Sequence, residues 1–469
     1  MSEQQKQSER DSVLATLEAE GVRFVNLEFT DVMGMAKCVT IPVEQFPDCL
    51  THGKWFDGSA IEGFARIAER DMYLFPDLAT FAILPGKVRP QAARTTQTLH
   101  AYLEQETDED VVARVICDVR TPDSEHFDGD PRATLLRALQ VAKSMGYTFL
   151  VAPELEFFLL RLEDKTPTPL PHDRGGYFDL STDLAATVRR QMVQALQQMH
   201  INIEASHHEV AAGQHELDFE TGNALSIADG LMTAKYVLKA IAAQHGLYAT
   251  FLPKPLYGIN GSGLHTHQQL ISFATGQNAF VDEQGEYGLS DIGRYFIAGQ
   301  LAHARAMCAI LAPLVNSYKR LVPGYEAPVF VNWGRVNREA LIRVPRPSSN
   351  RQSSARIELR CCDPSCNPYL AMAVMLRAGL DGISRKLPLP PAMDESLFLR
   401  DEHERLHPRS RLLPATLGEA LDELREDSLV RETLGDSIYE GFIEAKTIEW
   451  IDYRKQVHAW ELERYLPVF

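Results

Sequence analysis

Apolar residues recur along the chain at two spacings, and the switches between them mark its elements. Asp11–Glu20 has helical spacing. Val22–Phe29 changes to a period of two, Asp31-Val32-Met33-Gly34 reads as a turn, and Ala36–Ile41 returns as the second strand of a hairpin. Asp71–Leu84 and Val111–Val119 are further strand-like segments. Residues 18–107 read as a small β-rich domain and 108–469 as a larger one; the polar, turn-rich stretch Thr121–Asp130 precedes the first long helical pattern. That helix runs from Pro131 to Met145, with Asp130 as its cap and Pro131 in the first turn. Leu184–Met199 (Asp183 as cap), Ile227–Ala243, Leu289–Val315, Ala371–Ile383, Thr416–Arg425 and Tyr439–Glu463 also read as helices. Leu162–Asp173 and Leu387–Arg411 are proline-rich and read as loops.

Four strand-like segments break the usual rule that one face is apolar and the other merely solvated. In Val151–Leu160, Glu154 and Glu156 share one face of an otherwise apolar strand, with Cβ atoms roughly 7 Å apart. In Glu204–Glu216, Glu209 and Glu216 flank Ala211-Ala212-Gly213, where the glycine permits a tight reversal that can turn both acids to one point. Beyond the turn, Glu216, Asp218 and Glu220 alternate with Leu217 and Phe219. Such a strand is either a solvated acidic edge or a cation site, because crowded carboxylates repel one another unless a cation separates them. His265 and His267 share a strand face just after Asn260-Gly261-Ser262-Gly263. Arg356, Glu358 and Arg360 form the polar face of a fourth strand, which alone could be a surface ladder of ion pairs.

Together these residues imply a curved sheet lining a funnel. The five carboxylates Glu154, Glu156, Glu209, Glu216 and Glu358 with a histidine, and no thiolate, suit roughly two or three hard divalent ions such as Mg2+ or Mn2+. Arginines beside them suit phosphoryl transfer, which needs cations around the transferring group. Two loops add candidates: Trp55–Phe64, carrying Asp57, and Arg174–Asp179, carrying Tyr177. A proline-bracketed loop carries Glu326, and Arg335, Arg338 and Arg343 follow it. The residues alone point to a nucleotide-using transferase or ligase and do not name the acceptor.

The length of 469 residues calls for more than one core, and 45% hydrophobic with 24% charged residues is ordinary for a globular protein. A net charge of −17 argues against nucleic acid or an anionic membrane as the main partner. The N-terminus lacks the apolar core of a secretory peptide, and no apolar run reaches the length of a membrane span. The seven cysteines have no repeating spacing. Cys361, Cys362 and Cys366 suggest a metal knuckle only weakly, so reduced thiols and a cytoplasmic location are expected.

The segments DGSAIEGF, APELEFF, GGYFD, HHEVAAGQHE, NGSGLHTH, NSYKRLVPGYEAP, RIELR and DPSCNPYLA resemble, in order and spacing, the bacterial type I glutamine synthetases over almost the whole chain. The resemblance implies an α+β fold: an N-terminal β-grasp domain and a C-terminal catalytic domain whose curved antiparallel sheet forms the funnel. It implies a dodecamer of two stacked hexameric rings, ATP as substrate with glutamate and ammonium, and Mg2+ or Mn2+ as cofactor. Glu156, Glu209 and Glu216 would hold one metal, and Glu154, His265 and Glu358 a second. Asn260, Gly261, Arg320 and Arg360 would bind glutamate. Glu204, His267, Arg338, Arg343 and Arg356 would line the nucleotide and phosphate side. Asp57 from a neighbouring subunit, with Tyr177 and Glu209, would bind ammonium and take its proton, and Glu326 would sit on a closing flap.

Departures from the family pattern are Ala60 and Gln269, each where serine is usual, a shifted arginine in Trp333–Arg338, and Cys361-Cys362 before Asp363. None removes an expected metal ligand. No tyrosine occupies KLPLPPAMDESLFLRD, so no adenylylation is expected. Gly63-Phe64-Ala65-Arg66 resembles the feedback-inhibited alpha subclass, and Arg66 is expected to relay inhibition by glutamine. Two alternatives remain: a γ-glutamyl ligase for a polyamine or ethanolamine, which would be expected to lack Asp57 and Tyr177, and a non-catalytic structural relative, which would be expected to have lost ligands.

Overall fold

The computed structural model describes residues 3–60, 71–86, 110–163, 166–346, 354–394 and 412–469. Arg66, the loop from Ile61 onward, and most of Leu387–Arg411 lie outside the described residues.

The architecture is α+β, built on two sheets. The first follows helix α1 (Glu3–Ala19) and contains β1 (Val22–Thr30), β2 (Ala36–Pro42), β3 (Lys54–Asp57), β4 (Asp71–Pro76), β5 (Ala82–Ile83) and β6 (Val111–Arg120); a short helix α2 (Phe46–His52) precedes β3. The order is β2-β1-β6-β4-β3, with β5 also paired to β6. The expected hairpin is present, Leu27 facing Val39 across it. Strand β6, beyond residue 107, runs parallel to β1 and antiparallel to β4 in this first sheet. Its burial on both faces explains its near-continuous apolar run.

After α3 (Pro131–Ser144) the second sheet is organised on one long strand, β7 (Tyr147–Glu163). Around it lie β8 (Thr166–Pro171), β9 (Ile203–His208), β10 (Gln214–Phe219), β11 (Gly222–Asn223), β12 (Leu247–Thr250), β13 (Leu264–Ser272), β14 (Trp333–Gly334), β15 (Ile342–Arg343) and β16 (Ile357–Leu359). The main order is β14-β15-β16-β13-β7-β10-β9. Leu155, Leu217, Leu264, Ile357 and Leu359 alternate with the polar residues and are buried on the opposite face. Each such side chain contributes about 1.5–3 kcal/mol by leaving water, so a one-residue slip of register is strongly disfavoured.

The principal helices are α4 (Ala186–Gln198), α5 (Ala224–Gln244), α6 (Asp291–Leu311), the short α7 (Ser317–Arg320), α8 (Pro368–Arg385), α9 (Leu417–Glu426), α10 (Ser428–Leu434), α11 (Asp436–Arg454) and α12 (Ala459–Tyr465). One apolar cluster is continuous from Leu27 and Leu74 of the first sheet to Leu155, Phe296 and Tyr369 beyond it. Arg132, in the first turn of α3, joins the two units. Its guanidinium reaches Asp118 and Asp77 at 2.6 Å each and Asp229 of α5 at 3.0 Å. Asp130 caps the same helix, and burial and the nearby Asp118 push its carboxyl up to about 7.

Several sequence expectations are corrected. Leu162–Asp173 is not a loop throughout: β8 pairs with β7, and its prolines are tolerated because it is paired on one side only. Asp183 does not cap α4. Its carboxylate accepts from Ala185 N and makes a two-oxygen ion pair with Arg189. The expected helix Tyr439–Glu463 is two helices broken after Arg454, and Leu289–Val315 is helical only over Asp291–Leu311. Cys361, Cys362 and Cys366 are buried free thiols, with Cys362 Sγ 3.5 Å from Cys366 Sγ, and among the described residues no cysteine joins a metal-like cluster. No helix among the described residues is long and apolar enough to cross a membrane.

Candidate active site

Strand register assembles the site. Glu154 of β7 lies opposite His265 of β13 on one side and Asp218 of β10 on the other, while Glu156 lies opposite Glu216. His267 lies opposite Glu358, and Glu358 opposite Arg343. Residues spread over two hundred positions thereby occupy one face. That face lines two cavities, about 220 Å3 and about 440 Å3, that share Glu154.

The inner, 220 Å3 cavity takes Glu156, Glu209, Glu216, His265 and Glu358, with Tyr177, Asn260 and Gly261. Arg320, Arg338, Arg343, Arg360 and Glu326 also line it. The larger cavity takes Glu204, His267 and Arg356. Arg343, expected on the nucleotide and phosphate side, lines the inner cavity, where its Nη1 contacts Glu358 at 2.5 Å. Asp57 lines neither cavity. It ends β3, at the edge of the first sheet, where it faces Asp71 and accepts a hydrogen bond from Ser59 N.

Glu154 is the hinge between the cavities. His265 Nδ1 donates to one of its oxygens at 3.0 Å and His267 Nε2 to the other at 2.8 Å. Burial pushes the carboxyl up, but the two histidines outweigh it and hold it well below the carboxylate range. Arg356 Nε donates to His267 Nδ1 at 3.2 Å, which fixes the tautomer with the proton on Nε2. Glu156 accepts from Gly263 N and Gln214 Nε2. Gly263 is required there, because a Cβ would lie 2.5 Å from Arg320 Nη2 and 2.7 Å from His265 Nε2.

Gly213, at φ +70°, makes the reversal between β9 and β10. It brings Glu209 and Glu216 to one histidine: His207 Nε2 is 3.1 Å from Glu209 and 3.7 Å from Glu216. Burial, then the charges of Glu156 and Glu154, push Glu216 well above the usual carboxylate range. Burial also raises Glu156, with Glu209 adding to it. Both shifts come first from burial, with neighbouring carboxylates adding to it. On the far side Glu358 is fully buried and paired with Arg360 and Arg343. Burial opposes its ionisation, but Arg360 prevails and its pKa is lowered.

Arg320 is held by the carbonyls of Cys361 and Cys362 at 3.2 Å each and of Arg360 at 2.9 Å, so its charge is fixed at the cavity wall. Glu326 has φ +55° on its loop and lies 3.8 Å from Arg338. Its neighbour Tyr325 lies under Lys254, whose Nζ is 3.7 Å from the ring centroid. Tyr177 is half exposed and stacked on Phe178 at 3.9 Å, and burial and Glu209 raise its pKa.

Glu154, His265 and Glu358 present ligand atoms within 4.8 Å of one another, as do His207, Glu216 and Asp218. Asp218 Oδ1 is buried with no hydrogen-bond partner. Hard oxygen donors, raised carboxylates and an orphaned oxygen fit divalent cations. A third cluster, Asp173, His208 and His215, does not fit. Arg189 Nη1 sits on His215 Nδ1 at 3.0 Å, and both nitrogens of His208 face acceptors. Sequence reasoning missed His207 and Gln214, and it read Asp218 only as one acid of a strand face that could be a solvated edge or a cation site. His207 stands two residues from Glu209, and that period was the available signal.

A family model for the glutamine synthetase β-grasp domain matches residues 21–122, and one for the glutamine synthetase catalytic domain matches residues 128–465. Glutamine synthetase of Thermus thermophilus is 50% identical over 461 residues, covering 97% of this chain and 98% of that protein. Glutamine synthetase of Methanosarcina mazei is 45% identical over 470 residues, covering all of both. A solved complex of GmaS with ADP superposes with a TM-score of 0.83 at 28% identity, covering 97% of this chain and 99% of that one. Fold and site thus define an ATP-dependent ligase that forms carbon–nitrogen bonds. The chain belongs to the glutamine synthetase family. Its reaction is the ATP-dependent synthesis of glutamine from glutamate and ammonia. Enzymes of this family use ATP and divalent metals and work as oligomers.

Proposed function

We propose that the two cavities divide the reaction between them. The larger holds ATP through Glu204, His267 and Arg356. The inner one holds glutamate through Asn260, Gly261, Arg320 and Arg360. Glu156, Glu209 and Glu216 would hold one divalent ion and Glu154, His265 and Glu358 a second; when bound, such ions neutralise crowded phosphate oxygens and polarise the phosphoryl group. The observation that supports this reading is the sharing of Glu154 between the cavities; under it, the phosphate end of one substrate would meet the carboxylate end of the other.

A carboxylate is a poor electrophile, so its γ-carboxyl is first phosphorylated to γ-glutamyl phosphate. Arg338 and Arg343 stabilise the charge on the transferring group. Ammonium must lose a proton before it can attack. Asp57 of a neighbouring subunit, with Tyr177 and Glu209, binds the cation and receives that proton. Glu326 closes with its loop over the acyl phosphate and excludes water. The working assembly is a cytoplasmic dodecamer of two hexameric rings, with Mg2+ or Mn2+ at roughly two or three sites per subunit. The division into an N-terminal and a catalytic domain near residue 107 belongs to the same proposal, although β6 pairs within the first sheet.

Phosphate release from ATP with glutamate and Mg2+ tests the reading, run with ammonium, putrescine, ethanolamine or no amine. Release that requires ammonium and yields glutamine is expected. Release with putrescine or ethanolamine but not ammonium overturns the amine assignment, and release with none overturns the catalytic one.

A further inference from the structure

Asp173 and His208 form a buried polar cluster that lines neither cavity. Asp173, at the start of the loop carrying Tyr177, has no exposed side-chain surface, and neither has His208 of β9. One Asp173 oxygen accepts from His208 Nε2 at 3.0 Å, from Gly213 N at 3.0 Å and from Gly175 N at 3.4 Å; the other accepts from Leu184 N at 3.2 Å. His208 Nδ1 donates to the carbonyl of Glu209 at 2.7 Å. Since a carbonyl and a carboxylate can only accept, both ring nitrogens carry protons and the pair is ionic.

The connectivity gives this pair a function. On one side it grips the loop, through Gly175 and through Phe178 N, which donates to the carbonyl of His208 at 3.2 Å. On the other it grips the backbone of Glu209 and the reversal at Gly213. The loop packs so tightly that a Cβ on Gly175 would lie 2.7 Å from His208 Nε2. Tyr177 and Glu209 belong to different segments, and these contacts tie the two together.

We infer that Asp173 and His208 are positioning residues for the amine subsite, holding Tyr177 and Glu209 at the separation that admits ammonium. The inference rests on the assignment of Tyr177 and Glu209 to that subsite. Misplacing a reacting group by about 1 Å costs on the order of a hundredfold, so a partial loosening should cost about tenfold or more.

Asp173→Ala in the full assembled enzyme, at saturating Mg2+, is expected to raise KM for ammonium about tenfold or more, with KM for glutamate and ATP within about threefold. Phosphate released per glutamine should rise, because the acyl phosphate then waits for a poorly held amine. Asp173→Asn, which keeps an acceptor oxygen, should recover part of the loss. Gly175→Ala displaces the His208 ring without removing a charge and should shift the same constant; it decides the matter alone if Asp173→Ala does not fold. Equal shifts in all three KM values, or an unchanged ammonium KM, overturn the inference. Tyr177→Phe separates the two levels. If it leaves the ammonium KM unaltered, the subsite assignment itself fails; if it raises that KM while the Asp173 and Gly175 variants do not, only the positioning role fails.

Discussion

Glu358 should be the residue whose loss most separates stability from activity. Its side chain is fully buried and lies between Arg360, itself only 8% exposed in its side chain, and Arg343, at 34%. Glu358→Gln keeps the shape but turns an amide nitrogen toward one of the two guanidinium groups. Arg343 can turn to water, so its share is screened. Arg360 cannot, and removing one partner of a buried pair costs about 3–5 kcal/mol. Relief of the repulsion between Glu358 and Glu154 puts the expected cost at the lower end. About 2.1 cal/mol/K of unfolding entropy per residue, over 469 residues, gives roughly 1 kcal/mol/K for a single cooperative transition. Metal-free Glu358→Gln should therefore melt about 3 °C lower. Adding Arg360→Met removes the stranded charge and should recover most of that, since apolar replacement of a buried pair is often neutral. Glutamine synthesis should stay abolished in both, because the candidate metal and glutamate ligands are gone. Calorimetry and the coupled assay on the same preparations provide the check. A double variant that melts lower by the sum of the single losses would refute the argument.

Two further outcomes follow from the charges. His303 of α6 donates to Asp427 at 2.6 Å and Asp381 at 3.2 Å; burial lowers its pKa, but the aspartates outweigh this and raise it above the ordinary 6.5. The stabilisation it gives is complete below that ordinary value and is lost as pH rises through the raised one, so the melting gap between His303→Gln and the parent should narrow as pH rises above 6.5; a constant gap would count against it. Glu216 and Glu156 are raised by burial and crowding, so a bound divalent ion must displace protons. Apparent Mg2+ affinity should rise with pH from the carboxylate range toward neutrality, EDTA should abolish activity reversibly, and weakly buffered Mg2+ titration should acidify the solution; no acid release would contradict the metal assignment.

The strands that carry the site were legible because each has a period of two with acids or histidines on one face. Glu154 with Glu156, and His265 with His267, needed nothing more. The reversal at Gly213 was legible for the same local reason. What local pattern cannot express is pairing between distant strands. That Gln214 joins Glu156 to Gly261, or that Arg343 faces Glu358, depends on the register of β10, β13, β15 and β16 around β7. Asp183 was misread because a carboxylate before a helix looks like a cap, and nothing local announces an arginine six residues on as the stronger partner. β8 was misread because proline argues against a strand unless the strand is known to be paired on one side only.

Asp57 stands apart from both cavities. Its strand β3 closes one side of the first sheet, and that sheet is locked to the catalytic unit through Arg132 and its three aspartates. A mobile linker could swing Asp57 toward its own cavities, but the apolar cluster continuous across both units argues for a fixed relation. With Asp57 fixed outside both cavities, the amine subsite proposed at Tyr177 and Glu209 would lack one acid unless another copy supplied it. The fixed placement of the edge strand therefore makes oligomerisation, under the proposed roles, a requirement of the chemistry rather than only of stability. Trp55, half exposed beside Asp57 with its indole N–H on Asp71, offers an apolar surface at the place such a neighbour must cover.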